Sequence, residues 1–404
     1  MEPTPELTFG QRLKVYRERS GKTRAVLGGL VGKSAEWVKA VETGRLLPPR
    51  LPMLDRLAQA LRVDVADLAG GNLSQMTETL TGPRHAALPA VAAAINRYPI
   101  AGTEPPPALD QLGERLAVAW RARHGSPDHR TVLGGLLPDL IRDAQRAVHG
   151  HDGADRRRAQ ALLADLLGLS QMFIAYQPDA ALLWRVTDRA VVAAHESGDV
   201  RAIAGATWFA MEAYRDAGDW DTATAINLDA LQLVEARLAE GGHELLALYG
   251  ALQTGAAFTA ARAGEDGRAW RHLDLAEQAA RRLPEGYAQP WTWFSGPVVG
   301  FYAVSLDVEL QKGGEALRHA RRIPPASITS RPRRARHLIE VARAHNLKAQ
   351  HESTVATLRE AYDTAPETIR YNGYARRITM ELLSGPAPVR RDAHDLAVKV
   401  GLIR

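Results

Sequence analysis

The sequence predicts an all-α protein with a small basic head and a long helical body, and three observations carry that expectation. From Leu109 to Leu383 apolar residues recur at helical spacing, without the sustained period-two alternation a strand needs. Residues 22–45 read as two short helices joined by a tight turn. Charge is placed unevenly: between Leu7 and Pro52 ten Lys and Arg stand against three acids. About +7 therefore sits there in a chain of net +5, and about −2 is left for the rest.

Met1–Glu6 is a Pro-containing tail with no evident structure. Thr8 and Gln11 have the spacing of a capping box, so a first helix should start there, run to about Ser20 and stop at Gly21. Thr23 opens a second helix, with Val26, Leu27, Leu30 and Val31 at helical spacing. Gly32 stands where the turn needs a left-handed or crowded backbone. Ser34 is a good N-cap for a third helix whose Val38 and Val41 face inward, and Gly44 ends it. After Pro48 and Pro49, a fourth helix starts near Pro52 and buries Leu54, Leu57, Ala58 and Leu61. Asp64 caps a short fifth helix holding Val65 and Leu68, and Gly70-Gly71 closes a domain over 1–71. Gly28 and Gly29 inside the second helix each cost about 1 kcal/mol relative to Ala. The run Gly28 to Ser34 mimics the end of a phosphate-binding loop. Leu27 stands where that loop needs its first Gly and no strand precedes it, so the nucleotide reading is rejected.

Two helices joined this way serve to lay the second in the DNA major groove. The outward face of the third helix offers Ala35, Glu36, Trp37, Lys39 and Ala40. The run from Phe9 to Leu68 resembles the phage-repressor-like (Xre-type) helix-turn-helix family. The matching residues are Arg17, Thr23-Arg24, Gly32-Lys33-Ser34 and Glu42-Thr43-Gly44. The resemblance implies five helices, a structural Arg17–Glu42 ion pair and double-stranded operator DNA as partner. By position Ala35, Glu36 and Ala40 face base edges, Glu36 being able to accept from a cytosine amino group. Trp37 either presses on sugar or a thymine methyl or packs under the domain. Lys33 and Ser34 of the turn belong to the expected contact set. Arg24, where the family has Gln, is assigned to a phosphate together with Lys39, Arg45 and Arg50.

Residues 72–109 are broken by Pro83, Pro89, Pro99 and Pro105–Pro107, and read as a linker with a small helix within Ala90–Arg97. The body, 110–385, is self-similar. Its best unit, Ala210–Ala223, has Tyr214 and Gly218-Asp219 ahead of the small residue Ala223. The spacing recurs at Ala257–Ala269, near Lys312–Ala316, at Arg343–Ala356 and as a half-match at Tyr176–Ala181. These units resemble tetratricopeptide repeats with helices longer than consensus, which implies an α-solenoid of four or five helix pairs. Within 386–404, Ala393–Val400 is amphipathic and suited to capping the last pair.

No run is long and apolar enough to span a bilayer, and no leader precedes the first helix. The absence of Cys removes disulfides, thiolate metal sites and Cys nucleophiles, and suits a reducing cytoplasm. His149-Gly150-His151-Asp152 reads as a solvated loop, with no metal expected. No catalytic motif is found, so neither enzymatic activity nor a cofactor is expected. In the body, Trp208, Glu212, Arg215 and, one repeat on, Phe258 and Arg262 fall at positions that usually line the concave groove. Trp291, Trp293 and Tyr302 belong to an aromatic cluster that could wall a pocket. Any one of these aromatics is more often core. The basic run Arg331, Arg333, Arg334, Arg336 reads first as a solvated loop and second as an anion contact. The layout resembles Gram-positive peptide-pheromone receptors (quorum-sensing proteins) and actinobacterial regulators. The expectation is a homodimeric, DNA-binding transcriptional regulator whose repeats sense a short peptide or a small molecule. The alternative is a DNA-binding adaptor whose repeats are a protein scaffold.

Overall fold

A computed structural model describes residues 7–46, 49, 51–63, 65–69, 83–97 and 105–403. The expected N-terminal tail, the Asp64 cap, Gly70-Gly71, Arg50 and, within the 72–109 segment, 72–82 and 98–104 lie outside the described residues. Among the described residues there are 21 α-helices and no strand.

The head comprises α1 (Phe9–Arg19), α2 (Arg24–Leu30), α3 (Ala35–Glu42), α4 (Leu51–Leu61) and α5 (Val65–Ala69). The local signals act as expected. Thr8 and Gln11 form both halves of the capping box. Ser34 accepts from the Trp37 amide at 3.1 Å, and Gly32 and Gly44 have φ of +65° and +72°. Leu13, Leu27, Val38, Val41, Leu54, Leu57 and Leu68 share one core. Val26 and Leu30, expected among the inward apolar positions, are instead exposed. A helix of two turns buries one stripe, and here that stripe is Leu27 and Val31. Gly28 has a packing reason: an added Cβ would meet the Lys33 carbonyl and lie 3.1 Å from Ser34 backbone. The absent side chain lets α2 close tightly against its own turn.

The body starts earlier than expected, with α6 (Leu88–Asn96), whose Leu88, Val91, Ala94 and Ile95 are buried in the repeat core. Six antiparallel pairs follow: α7 (Leu109–Gly125) with α8 (His129–Gly150), α9 (Gly153–Ile174) with α10 (Ala180–Ser197), and α11 (Val200–Asp216) with α12 (Trp220–Glu235). The others are α13 (Gly242–Ala263) with α14 (Asp266–Arg281), α15 (Gly296–Glu309) with α16 (Gly313–Ala320), and α17 (Arg331–Leu347) with α18 (His351–Thr364). The expectation of four or five pairs was thus low. Ala223, Ala269 and Ala316 are fully buried, as a close helix contact demands. Ala181 and Ala356 are exposed, and Leu182 and Val355 take the buried places beside them. The odd-numbered helices α7 to α17 each pack on the next, and α17 also touches α7, so the inner layer closes on itself.

Two buried polar contacts hold that closure. His124 of α7 meets Ser330 Oγ at 2.9 Å and the Pro290 carbonyl at 3.0 Å. The Glu367 carboxylate reaches the start of α8, accepting from the Thr131 amide at 3.2 Å and its hydroxyl at 2.6 Å. Glu367 belongs to α19 (Pro366–Tyr371), which leads into α20 (Gly373–Leu382) and α21 (Ala387–Lys399). In α21, Val389, Ala393, Leu396 and Ala397 are buried, covering the apolar end of the last pair.

Candidate nucleic-acid interface and its contact with the repeat body

The frame of the head is an ion-pair cluster joining three helices. Arg17 on α1 bonds both oxygens of Glu42 at the end of α3, one of them at 3.2 Å. Arg24 at the start of α2 donates to Glu42 at 2.8 Å. Burial pushes the Glu42 carboxyl up, but the hydrogen bonds from Arg17 and Arg24 outweigh it and hold it below the usual range. Arg24, assigned from the sequence to a phosphate, thus spends its Nε on fixing α2 to α3.

On α3 and its turn, Ser34, Glu36 and Lys39 are exposed, Ala35 is half-buried, and Arg45 just past the helix is exposed. Ser34, Ala35 and Glu36 stand at the helix N-terminus, the end that reaches base edges in helix-turn-helix docking, while Lys39 is in its last turn and Arg45 past its C-terminal end. Ala40 does not join them. It is fully buried with Val38 and Val41, against its expected place at the base edges. At about 100° per residue Ala40 lies off the Val38–Val41 stripe; the chain returns onto it past Gly44, where the Leu46 amide donates to the Ala40 carbonyl at 2.8 Å.

Lys33 and Trp37 meet the repeat body instead of open solvent. Trp220, the first residue of α12, lies in the head core cluster. The Lys33 ammonium sits 4.1 Å from the Trp220 ring and 5.6 Å from the Trp37 ring. Arg56 of α4 lies over the other part of Trp220 at 5.5 Å. An added Cβ at Gly32 would stand 3.0 Å from Trp220, and one at Gly264 would stand 3.6 Å from the Ser34 amide nitrogen. Burial, with Arg262 and Arg56 nearby, pushes the Lys33 ammonium down to about 7. Trp220 was absent from the expected contacts, and no local residue pattern pointed to it.

Residues 8–70 match the family described as Helix-turn-helix domain. The head is a helix-turn-helix domain. No curated protein matches the chain. Two solved structures are similar over much of its length. The first is a Rap protein complexed with competence and sporulation factor. It has 12% identity, coverage of 73% of this chain and 88% of that one, and a TM-score of 0.42. The second is a PrgX mutant, with 8% identity, coverage of 85% and 96%, and a TM-score of 0.28.

Behind this helix-turn-helix domain, the inner face of the repeats is filled by aromatic and charged side chains holding one another. Trp208, Arg215, Phe258 and Tyr302 are buried, while Glu212, Arg262, Trp291 and Trp293 are half-buried. Arg215 lies over Phe258 at 4.8 Å and bonds Glu212 at 3.1 Å. Arg262 bonds Asp216 at 2.7 Å, and Trp293 stacks on His124 with ring centres 4.0 Å apart. The basic run read first as a solvated loop opens α17 instead, and two of its members point inward. Arg333 lies over Trp208 at 5.6 Å, and Arg336 pairs with the buried Glu340 at 2.9 Å. Arg343, one turn beyond, bridges Glu340 at 2.6 Å and Glu309 at 3.0 Å. Among the described residues no His, Asp and Glu group could hold a metal ion, and no helix is long and apolar enough to cross a membrane.

Proposed function

We propose that this chain is a sequence-specific transcriptional regulator that binds operator DNA as a homodimer and senses an effector through its repeats. The observation that carries the reading is the helix-turn-helix domain over 8–70, with Ser34 and Glu36 exposed at the start of its third helix and Lys39 exposed in the last turn. The excess of about seven positive charges on this segment supplies the sequence-independent attraction to phosphate. One recognition helix buries too little surface for specific affinity, so two heads reading two half-sites are required. Glu36 selects a base, while Lys39 and Arg45 hold phosphates. The repeats supply the dimer contact and the effector site, and the protein works where bacterial DNA is, in the cytoplasm. A small molecule is favoured over an extended peptide. The inner face is closed from α7 to α17 and crossed by the Arg336–Glu340–Arg343–Glu309 chain.

Selection of the full chain on a random duplex library tests the reading. Enrichment of an inverted repeat with half-sites about one helical turn apart, or a multiple of it, is expected. Retention that is equal for all sequences, or none at all, would refute it. Light scattering of the full chain checks the dimer.

A further inference from the structure

Between the recognition helix and the body lies a cavity of about 100 Å³ that opens to solvent. Both bodies line it: Lys33, Trp37 and Arg45 come from the head, and Trp220, Arg262, Glu309, Arg343, Tyr374 and Arg377 are among the residues from the repeats. Among the described residues the lining is cationic in excess, with Asp216 and Glu309 as its acids against Lys33, Arg45, Arg262, Arg343 and Arg377. Those acids are already committed, Asp216 to Arg262 at 2.7 Å and Glu309 to Arg343 at 3.0 Å. Lys33 has no hydrogen-bond or ion-pair partner among the described residues, and its ammonium is caged between two indoles. A partly desolvated cation whose acidic neighbour Glu309 is already bonded to Arg343 is costly to hold, and an incoming anion relieves that cost. Trp37, Trp220 and Tyr374 among the lining residues give apolar contact for an aromatic ring beside the anionic group.

We propose that this interdomain cavity is the effector site, and that it takes a small aromatic acid whose anionic group pairs with Lys33. The proposal rests on the DNA-binding reading above and fixes the sign of the regulation. A site lined by both bodies exists only while the head is docked. In the docked arrangement Lys33 and Trp37 face Trp220 and are withheld from DNA. A ligand that binds only this arrangement opposes DNA binding, and DNA opposes the ligand by the same factor. The effector is therefore an inducer of release.

The test uses the full chain with 8-anilinonaphthalene-1-sulfonate, an aromatic sulfonate whose fluorescence reports binding, and a short generic duplex at low salt. Saturable dye binding is expected, weakened about tenfold or more by Lys33→Gln, the loss of one charge-assisted contact. Trp220→Ala, on the other body, should weaken it similarly, and Lys33→Arg should restore most of it. Far-UV circular dichroism confirms that each variant is folded. The duplex should displace the dye from the wild type. Dye affinity unchanged in both Lys33→Gln and Trp220→Ala overturns the site. A duplex that binds without displacing dye overturns the coupling. A duplex that binds neither the wild type nor Trp220→Ala refutes the DNA-binding reading, while the dye series still decides the cavity.

Discussion

Glu42 shows how one residue can set the geometry of the head. Its side chain is 1% exposed, and Arg17 and Arg24 bring α1 and α2 onto the end of α3 through it. Removing one partner of a buried pair leaves a charge inside without its full complement. Arg17→Ala should therefore destabilise the head by about 3 kcal/mol, read as faster hydrogen exchange of α1–α3 amides, with the repeats unaffected. The exposed residues divide differently. Lys39→Ala should weaken all duplexes alike and reduce the salt dependence, because phosphate contacts carry no sequence information. Glu36→Ala should relax preference at a single base pair by about 1–3 kcal/mol. Filter binding on a panel of operator variants separates the two, and a uniform loss for Glu36→Ala would misplace the helix.

Single helices carry the next level of constraint. On α13 a Cβ at Gly250 would run into the ring of Phe294, which is buried in the loop before α15. Overpacking of this kind costs about 1–3 kcal/mol, so Gly250→Ala should lower the denaturant midpoint of the body without changing its helix content. On α9, Asp165 accepts from the Trp120 indole at 2.6 Å, tying α9 to α7. Burial pushes its carboxyl up to about 7, only partly offset by hydrogen bonds from Trp120 and Trp291. The folded chain thus holds a proton there that the unfolded chain has released above about 3.8. Stability from this group is fully present below that value and is lost as pH rises towards about 7. Asp165→Asn should flatten that part of the profile, which urea unfolding at a series of pH values would measure.

The whole molecule depends on contacts between residues far apart in sequence. Glu367 reaches across 236 residues to Thr131, where it caps the amides at the start of α8 that have no partner within the helix. Glu367→Ala would leave those donors and the Thr131 hydroxyl without their acceptor. The expected loss is about 2–3 kcal/mol, appearing as accelerated exchange of the Arg130 and Thr131 amides and early opening of the α7–α17 closure. Unchanged exchange at those two amides would mean that Glu367 does not hold the closure, leaving His124 with Ser330 to do so. The same closure bears on ligand access. The inner face is occupied by its own Arg, Glu and aromatic side chains, and an open space lies at the junction of head and body.

The chain by itself determined the helical class and most of the head, because those signals are local. Thr8 and Gln11, Ser34 with Gly32, and Leu27 with Val38 and Val41 act within a few residues or one small core. Arg17–Glu42 was legible through family resemblance, and the bond is present. Ala223, Ala269 and Ala316 marked the repeats because a close helix contact needs a small residue whatever lies around it. Periodicity tells which face of a helix is apolar, not which partner that face will meet. Only the tertiary structure decided that Ala40 is covered, that Arg333 and Arg336 point inward, and that α6 belongs to the body. Only it brought Trp220 onto Lys33, a pairing between two residues 187 positions apart. Contacts at that separation are set by how the repeats stack and curve, and no local pattern of residues encodes that curvature.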